Sequence, residues 1–173
     1  RQRQMCIRDR KATGEKLSDY VSRKLWTPMH AEESALWSLD RKDGMEKAYC
    51  CFNSNARDFA RFGQLLLNNG QWDGQQLISP AYLAEATSPD TRLVYKDLGK
   101  PNHCYGFQYW ILDYKGMKIP YMRGILGQYV FTLPEKNAVI VRLGHKRSDT
   151  YTADQHYPDD INTWLDAAMD LLQ

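Results

Sequence analysis

The stretch from Gln128 to Leu143 constrains this chain more than any other. Gln128 to Leu133 and Ala138 to Leu143 are rich in β-branched and aromatic residues, and Pro134-Glu135-Lys136-Asn137 separates them. Two such runs joined by a four-residue turn predict an antiparallel β-hairpin. Upstream, Tyr105 to Leu112 has the same texture and is followed by a Tyr114-Lys115-Gly116 turn, so it predicts another strand. On it Tyr105, Tyr109 and Trp110 are expected to pack on the sheet faces. The expectation is about three antiparallel strands, with bare edges that suggest further strands in sequence outside this chain.

Helical signals flank that sheet. Leu17, Tyr20, Val21 and Leu25 fall on one helical face, and Pro28 ends the segment after Trp26. Residues 27–52 read as an irregular connection, with Asp43-Gly44 as a turn. Asn53 or Ser54 can cap a helix that carries Phe59, Phe62 and Leu66, and Asn68-Asn69-Gly70 can end it. Trp72-Asp73-Gly74 reads as a tight turn, and Ser79-Pro80 opens a short helix to about Thr87. At the C-terminus, Ile161, Trp164, Leu165, Ala168 and Leu172 share a helical face behind the acidic start Asp159-Asp160. Helices grouped apart from an antiparallel sheet, with a last helix to cover it, predict an α+β fold.

Bulk properties exclude several classes. A 173-residue chain with 43% hydrophobic and 12% aromatic residues suits one folded domain. No apolar run approaches the roughly 18–20 residues of a membrane helix, and no stretch of secretory-signal type opens the chain. The formal charge of +2 is concentrated in residues 1–10, where Arg1, Arg3, Arg8 and Arg10 outnumber Asp9. Without a basic face elsewhere, a nucleic-acid partner is not expected. Residues 1–10 lack apolar periodicity, and the Met5-to-Arg10 string resembles adaptor-derived translations. They are expected to be a non-native or disordered tail, with the domain occupying 11–173.

Cys6, Cys50, Cys51 and Cys104 match no metal or redox spacing. They are expected to be small buried hydrophobes, adjacent Cys50 and Cys51 being poorly placed to bond each other. His30, His103, His145 and His156 are scattered, so neither a metal nor a cofactor is expected. No Gly-x-Ser-x-Gly elbow, phosphate-binding loop or Ser-x-x-Lys pair occurs in the chain. Chemistry points instead to Tyr121 through Tyr129, where Gly124 and Gly127 precede a strand. Glycines there let the backbone approach something closely, and its N–H groups can serve as oxyanion donors. A plain structural turn is the alternative.

Several ordered motifs give this segment more weight. Asp58-Phe-Ala-Arg-Phe-Gly-Gln-Leu-Leu-Leu-Asn-Asn-Gly-Gln-Trp-Asp-Gly74 resembles the helix-plus-turn signature of β-lactamase-related serine hydrolases. Lys11 to Tyr20, the Tyr105-to-Trp110 segment, Gly124 to Gln128 and the Pro134-Glu135-Lys136 turn follow in that family's order. The Arg-Gly-Ile-x-Gly-Gln pattern resembles most the 6-aminohexanoate-dimer hydrolase branch. The resemblance implies a seryl intermediate in amide or ester cleavage, with Ser-x-x-Lys and Tyr motifs expected upstream of Lys11. In this chain, Met122-Arg123-Gly124 takes the place of the family's Lys-Thr-Gly. Ile125 then supplies a backbone N–H to the oxyanion hole, while Arg123, Gly124, Gly127 and Gln128 are candidates for substrate contact. Arg123 could meet a substrate carboxylate or simply lie at the surface. The resemblance also implies a periplasmic or cell-envelope location and a small-molecule or peptide substrate. A non-catalytic binding module on the same fold is the competing expectation.

Overall fold

The computed structural model describes residues 2–96, 99–153 and 156–172. The chain forms two compact units, Arg1–Arg61 and Phe62–Gln173, with the division falling inside one helix.

In the first unit, α1 spans Gln2–Thr13 and α2 spans Leu17–Val21, continuing as a wider helical turn over Ser22–Trp26. Residues 2–10 are thus helical, with Cys6 buried, and differ from the disordered alternative for the tail. A short hairpin follows, made of β1 (Leu36–Trp37) and β2 (Phe52–Asn53). Helix α3 (Ala56–Leu67) begins one residue later than the sequence suggested, because Asn55 is the cap. Its side-chain oxygen accepts from the Asp58 N–H at 2.8 Å, satisfying a donor that has no partner within the helix.

Asp58 organises this unit. Its fully buried carboxylate accepts the N–H groups of Glu32 (2.8 Å) and Glu33 (3.1 Å), the Asn55 amide (2.7 Å) and Arg61 (3.0 Å). Burial pushes the carboxyl upward, but these donors outweigh it and hold it below its ordinary value. Cys50 and Cys51 overturn their expected role. They are exposed and joined as a disulfide between neighbours, with Cys51 in the left-handed region (φ 69°) at the entry to β2.

The second unit is built on one sheet. Asn69 and Gly70 end α3 in the left-handed conformation, and the β3–β4 hairpin (Gln71–Trp72, Gln75–Gln76) turns through Asp73 and Gly74. Helix α4 (Pro80–Ala86) is capped by the Ser79 hydroxyl, and a two-residue pair joins β5 (Val94–Tyr95) to β6 (Lys100–Pro101). The sheet follows: β7 (Trp110–Tyr114), β8 (Met117–Arg123), β9 (Gln128–Leu133) and β10 (Ala138–Leu143), antiparallel in the order β10-β9-β8-β7. It has four strands where about three were expected, and β7 starts at Trp110. Residues 105–109 are irregular, so Tyr105 and Tyr109 do not alternate with Trp110 along a strand.

Strand β9 is buried on both faces. Tyr129, Phe131 and Leu133 join Leu112, Tyr114, Ile119 and Tyr121 beneath α5 (Asp160–Leu171), which inserts Ile161 and Leu165. Trp164 and Leu172, expected on that stripe, lie outside the core at 42% and 37% exposure; Met169 packs there instead. On the opposite face Val130 and Val139 lie against Gly63 of α3, so closely that a Cβ there would stand 2.5 Å from Val139 Cγ1. The observed arrangement is α+β, with helices against both faces of the antiparallel sheet.

Candidate functional site

The glycine-flanked segment is the tip of the β8–β9 hairpin. The last cross-strand pair is Arg123 with Tyr129, after which the Gly124 N–H donates to the Gln128 carbonyl at 2.8 Å. Ile125, Leu126 and Gly127 form a three-residue loop, and Gly127 adopts φ 83°. A turn closed by a left-handed glycine is a favoured way to join strands over three residues.

Three side chains brace this loop from neighbouring elements. Gln128 accepts the Leu126 N–H at 3.1 Å and donates to the Gly144 carbonyl. Arg142, paired with Tyr129 across the β9–β10 ladder, donates to the Gly127 carbonyl and, at 2.9 Å, to that of Lys146. Arg147 donates through Nε to the Ile125 carbonyl at 2.9 Å. A Cβ on Gly127 would collide with the Arg142 guanidinium and come within 2.8 Å of the Lys146 carbonyl. A Cβ on Gly124 would collide with the Gln128 side chain. Both glycines are therefore dictated by close approach, and Gln128 serves as a strut within the loop.

Held in this way, the loop presents the Ile125 N–H. Among the described residues, the Ile125 N–H makes no hydrogen bond, and the Ile125 side chain is 80% exposed. A fixed N–H whose own carbonyl is anchored is suited to receive negative charge developing on a substrate oxygen. Arg123 lies differently from a free substrate-binding cation. Its guanidinium sits 3.3 Å from the centroid of the Trp110 ring, and Nη1 donates to the His156 carbonyl at 2.9 Å and the Tyr121 hydroxyl at 3.4 Å. Such stacking fixes the side chain and leaves only its remaining edge for a ligand.

The tyrosine hydroxyls and the cysteine thiol nearby are held in their protonated forms. Burial pushes up the Tyr121 and Tyr105 hydroxyls and the Cys104 thiol, and the nearby Arg123 charge only partly opposes it. Burial, with Asp160 nearby, likewise pushes the Tyr129 hydroxyl up to about 12. These groups stay protonated near neutral pH. No group of three or more His, Cys, Asp or Glu side chains suited to a metal occurs among the described residues, and no helix there is long and apolar enough to cross a membrane.

Gly124, Ile125, Gly127 and Gln128, singled out from the sequence, fall together at the hairpin tip, whereas Arg142, Arg147 and the Trp110 platform were missed. The hairpin register could have flagged Arg142, which falls opposite Tyr129 next to the loop. Nothing in the local sequence marks Arg147, which reaches back across 22 residues.

No family model matches the chain. It is 26% identical over 137 residues to a 6-aminohexanoate-dimer hydrolase from Paenarthrobacter ureafaciens, a match covering 77% of this chain and 34% of the relative. Among solved structures, a Bacillus anthracis protein provisionally named as a 6-aminohexanoate-dimer hydrolase superposes with a TM-score of 0.75 at 26% identity. That superposition covers 96% of this chain and 40% of the other. A β-lactamase, also provisionally named, from Bacteroides dorei shares the fold at a TM-score of 0.60 and 12% identity, over 92% and 53% of the respective chains. The chain therefore spans about a third of the length of its curated relative.

Proposed function

We propose that this chain is part of a β-lactamase-related serine hydrolase and forms one wall of an acyl-transfer site in a longer hydrolase, a reading supported by its similarity to a 6-aminohexanoate-dimer hydrolase. The bond cleaved is an amide or ester. Serine Oγ attacks the carbonyl carbon, the carbonyl oxygen becomes an oxyanion, and the leaving amine or alcohol departs with a proton. Water then cleaves the acyl-serine ester. In this reading the nucleophile and the lysine and tyrosine that handle its proton lie in sequence outside these 173 residues. The isolated chain is inactive.

What this chain contributes is electrostatic. The uncommitted Ile125 N–H carries the proposal: it donates to the oxyanion, held by Arg147 on its own carbonyl and by Gln128 and Arg142 on the rest of the loop. One such donor contributes about 3 kcal/mol to the transition state. Met122 and Arg123 stand where the family pattern has lysine and threonine. With Arg123 engaged on Trp110, recognition of a carboxylate at that position is weaker than a free lysine would give.

Ile125→Pro tests the assignment, because it deletes the N–H at the second position of a turn, where proline is well accommodated. In the longer protein the substitution is expected to lower kcat by about 10²-fold to 10³-fold while KM changes little. Unchanged kcat in a folded variant would remove Ile125 from the reaction.

A further inference from the structure

A cavity of about 330 Å³ lies within the first unit. Its aromatic walls are Trp26, Trp37 and Phe52, each only half-buried. Phe52 meets both indoles edge-on, at 5.3 and 5.2 Å between centroids, which fixes the three rings against one another. The indole N–H groups are used on carbonyls: Trp26 donates to Glu33 at 2.9 Å, and Trp37 to Lys47 at 3.0 Å and Cys50 at 3.1 Å. The rings are thus oriented by their edges.

The charged lining has one sign. Glu46, 5% exposed, and Asp19 at the exposed rim are its ionisable groups, and no lysine, arginine or histidine lines the cavity among the described residues. Glu46 accepts from the Ser18 hydroxyl at 2.6 Å and the Ser18 N–H at 3.2 Å, both at Oε1. Burial opposes ionisation, but these donors overcome it and keep the carboxyl below its ordinary value, with Arg10 helping at longer range.

We infer that this cavity binds a small organic cation, an alkylammonium whose charged head meets Glu46 and Asp19 and whose stem lies on Trp26, Trp37 and Phe52. Each half suits that class. Aromatic rings attract a cation and cover an alkyl chain, and a fixed carboxylate selects the cation over an anion. The volume is at the small end of ligand sites, which limits the ligand to a short chain.

Hexylammonium, titrated into the purified 173-residue chain, provides the probe, with hexanol and hexanoate as matched controls. The readout is the indole N–H resonances, assigned through Trp26→Phe and Trp37→Phe. Saturable shifts of the Trp26 and Trp37 signals are expected with a Kd of about 1 mM, at least about tenfold tighter than for hexanol. Hexanoate is expected not to bind. Glu46→Gln and the rim substitution Asp19→Asn should each weaken binding of the amine and leave hexanol unaffected. Equal binding of amine and alcohol, or no saturation at these two indoles, would overturn the inference. The comparison of the three ligands decides the matter in the unaltered chain even if Glu46→Gln fails to fold.

Discussion

Asp58 illustrates how one side chain can hold several distant backbone groups. Buried, and accepting from Glu32, Glu33, Asn55 and Arg61, it leaves those donors unmatched if it is neutralised. Asp58→Asn is expected to cost about 3 kcal/mol, seen as a lower midpoint in denaturant melts. A midpoint equal to that of the original chain would refute the role. Its folded pKa lies below the ordinary 3.8, so its stabilising contribution is present above 3.8 and is lost as pH falls through the depressed value. Acid titration should therefore show a loss of stability below about pH 4 that Asp58→Asn flattens. At the site, Gly127→Ala places a Cβ at φ 83° against Arg142 and the Lys146 carbonyl. It should cost about 1–2 kcal/mol and, in the longer protein, lower kcat along with stability. The glycines were legible as points of close approach. What approaches was not, because Arg142, Lys146 and Arg147 come from the next strand and the loop beyond it. The Cys50–Cys51 bond was likewise hidden, since it accompanies a left-handed backbone at Cys51 that residue type alone does not announce.

At the level of elements, the hairpin from Gln128 to Leu143 and the terminal helix were legible because their apolar periods are strong and their turns carry suitable residues. Strand β8 was missed although Met117, Ile119 and Tyr121 alternate. Pro120 argues against a central strand. The register explains its tolerance: β8 pairs with β9 only from Tyr121 onward, so Pro120 lies where the strand is paired on one side. The boundary of α3 slipped by a residue because Asn53, Ser54 and Asn55 all have capping side chains, and tertiary contacts at Asp58 select Asn55. The same helix carries a glycine at a position where propensity favours alanine by about 1 kcal/mol. Gly63 is required by the sheet, since a Cβ would stand 2.5 Å from Val139 Cγ1. Gly63→Ala is accordingly expected to destabilise the chain by about 1–2 kcal/mol despite that propensity. Val139→Ala should cost less in the Gly63→Ala background than alone, a coupling measurable by a double-mutant cycle. Additive effects would mean that α3 does not approach the sheet at Gly63.

For the molecule as a whole, the α+β class was readable from the grouping of helices around strand-rich sequence, and the similarity to β-lactamase-related hydrolases from the order of several motifs. The division into two compact units was not, because α3 runs through the boundary without a break in its pattern. The proposed function rests on a division of labour, in which these 173 residues supply an oxyanion loop and the nucleophile comes from elsewhere in a longer chain. Treatment with a fluorophosphonate probe, followed by intact-mass measurement and peptide mapping, tests that division directly. No adduct is expected on the purified 173-residue chain, and a single adduct is expected on a serine upstream of Lys11 in the longer protein. A stoichiometric adduct on any serine within these 173 residues would contradict that division.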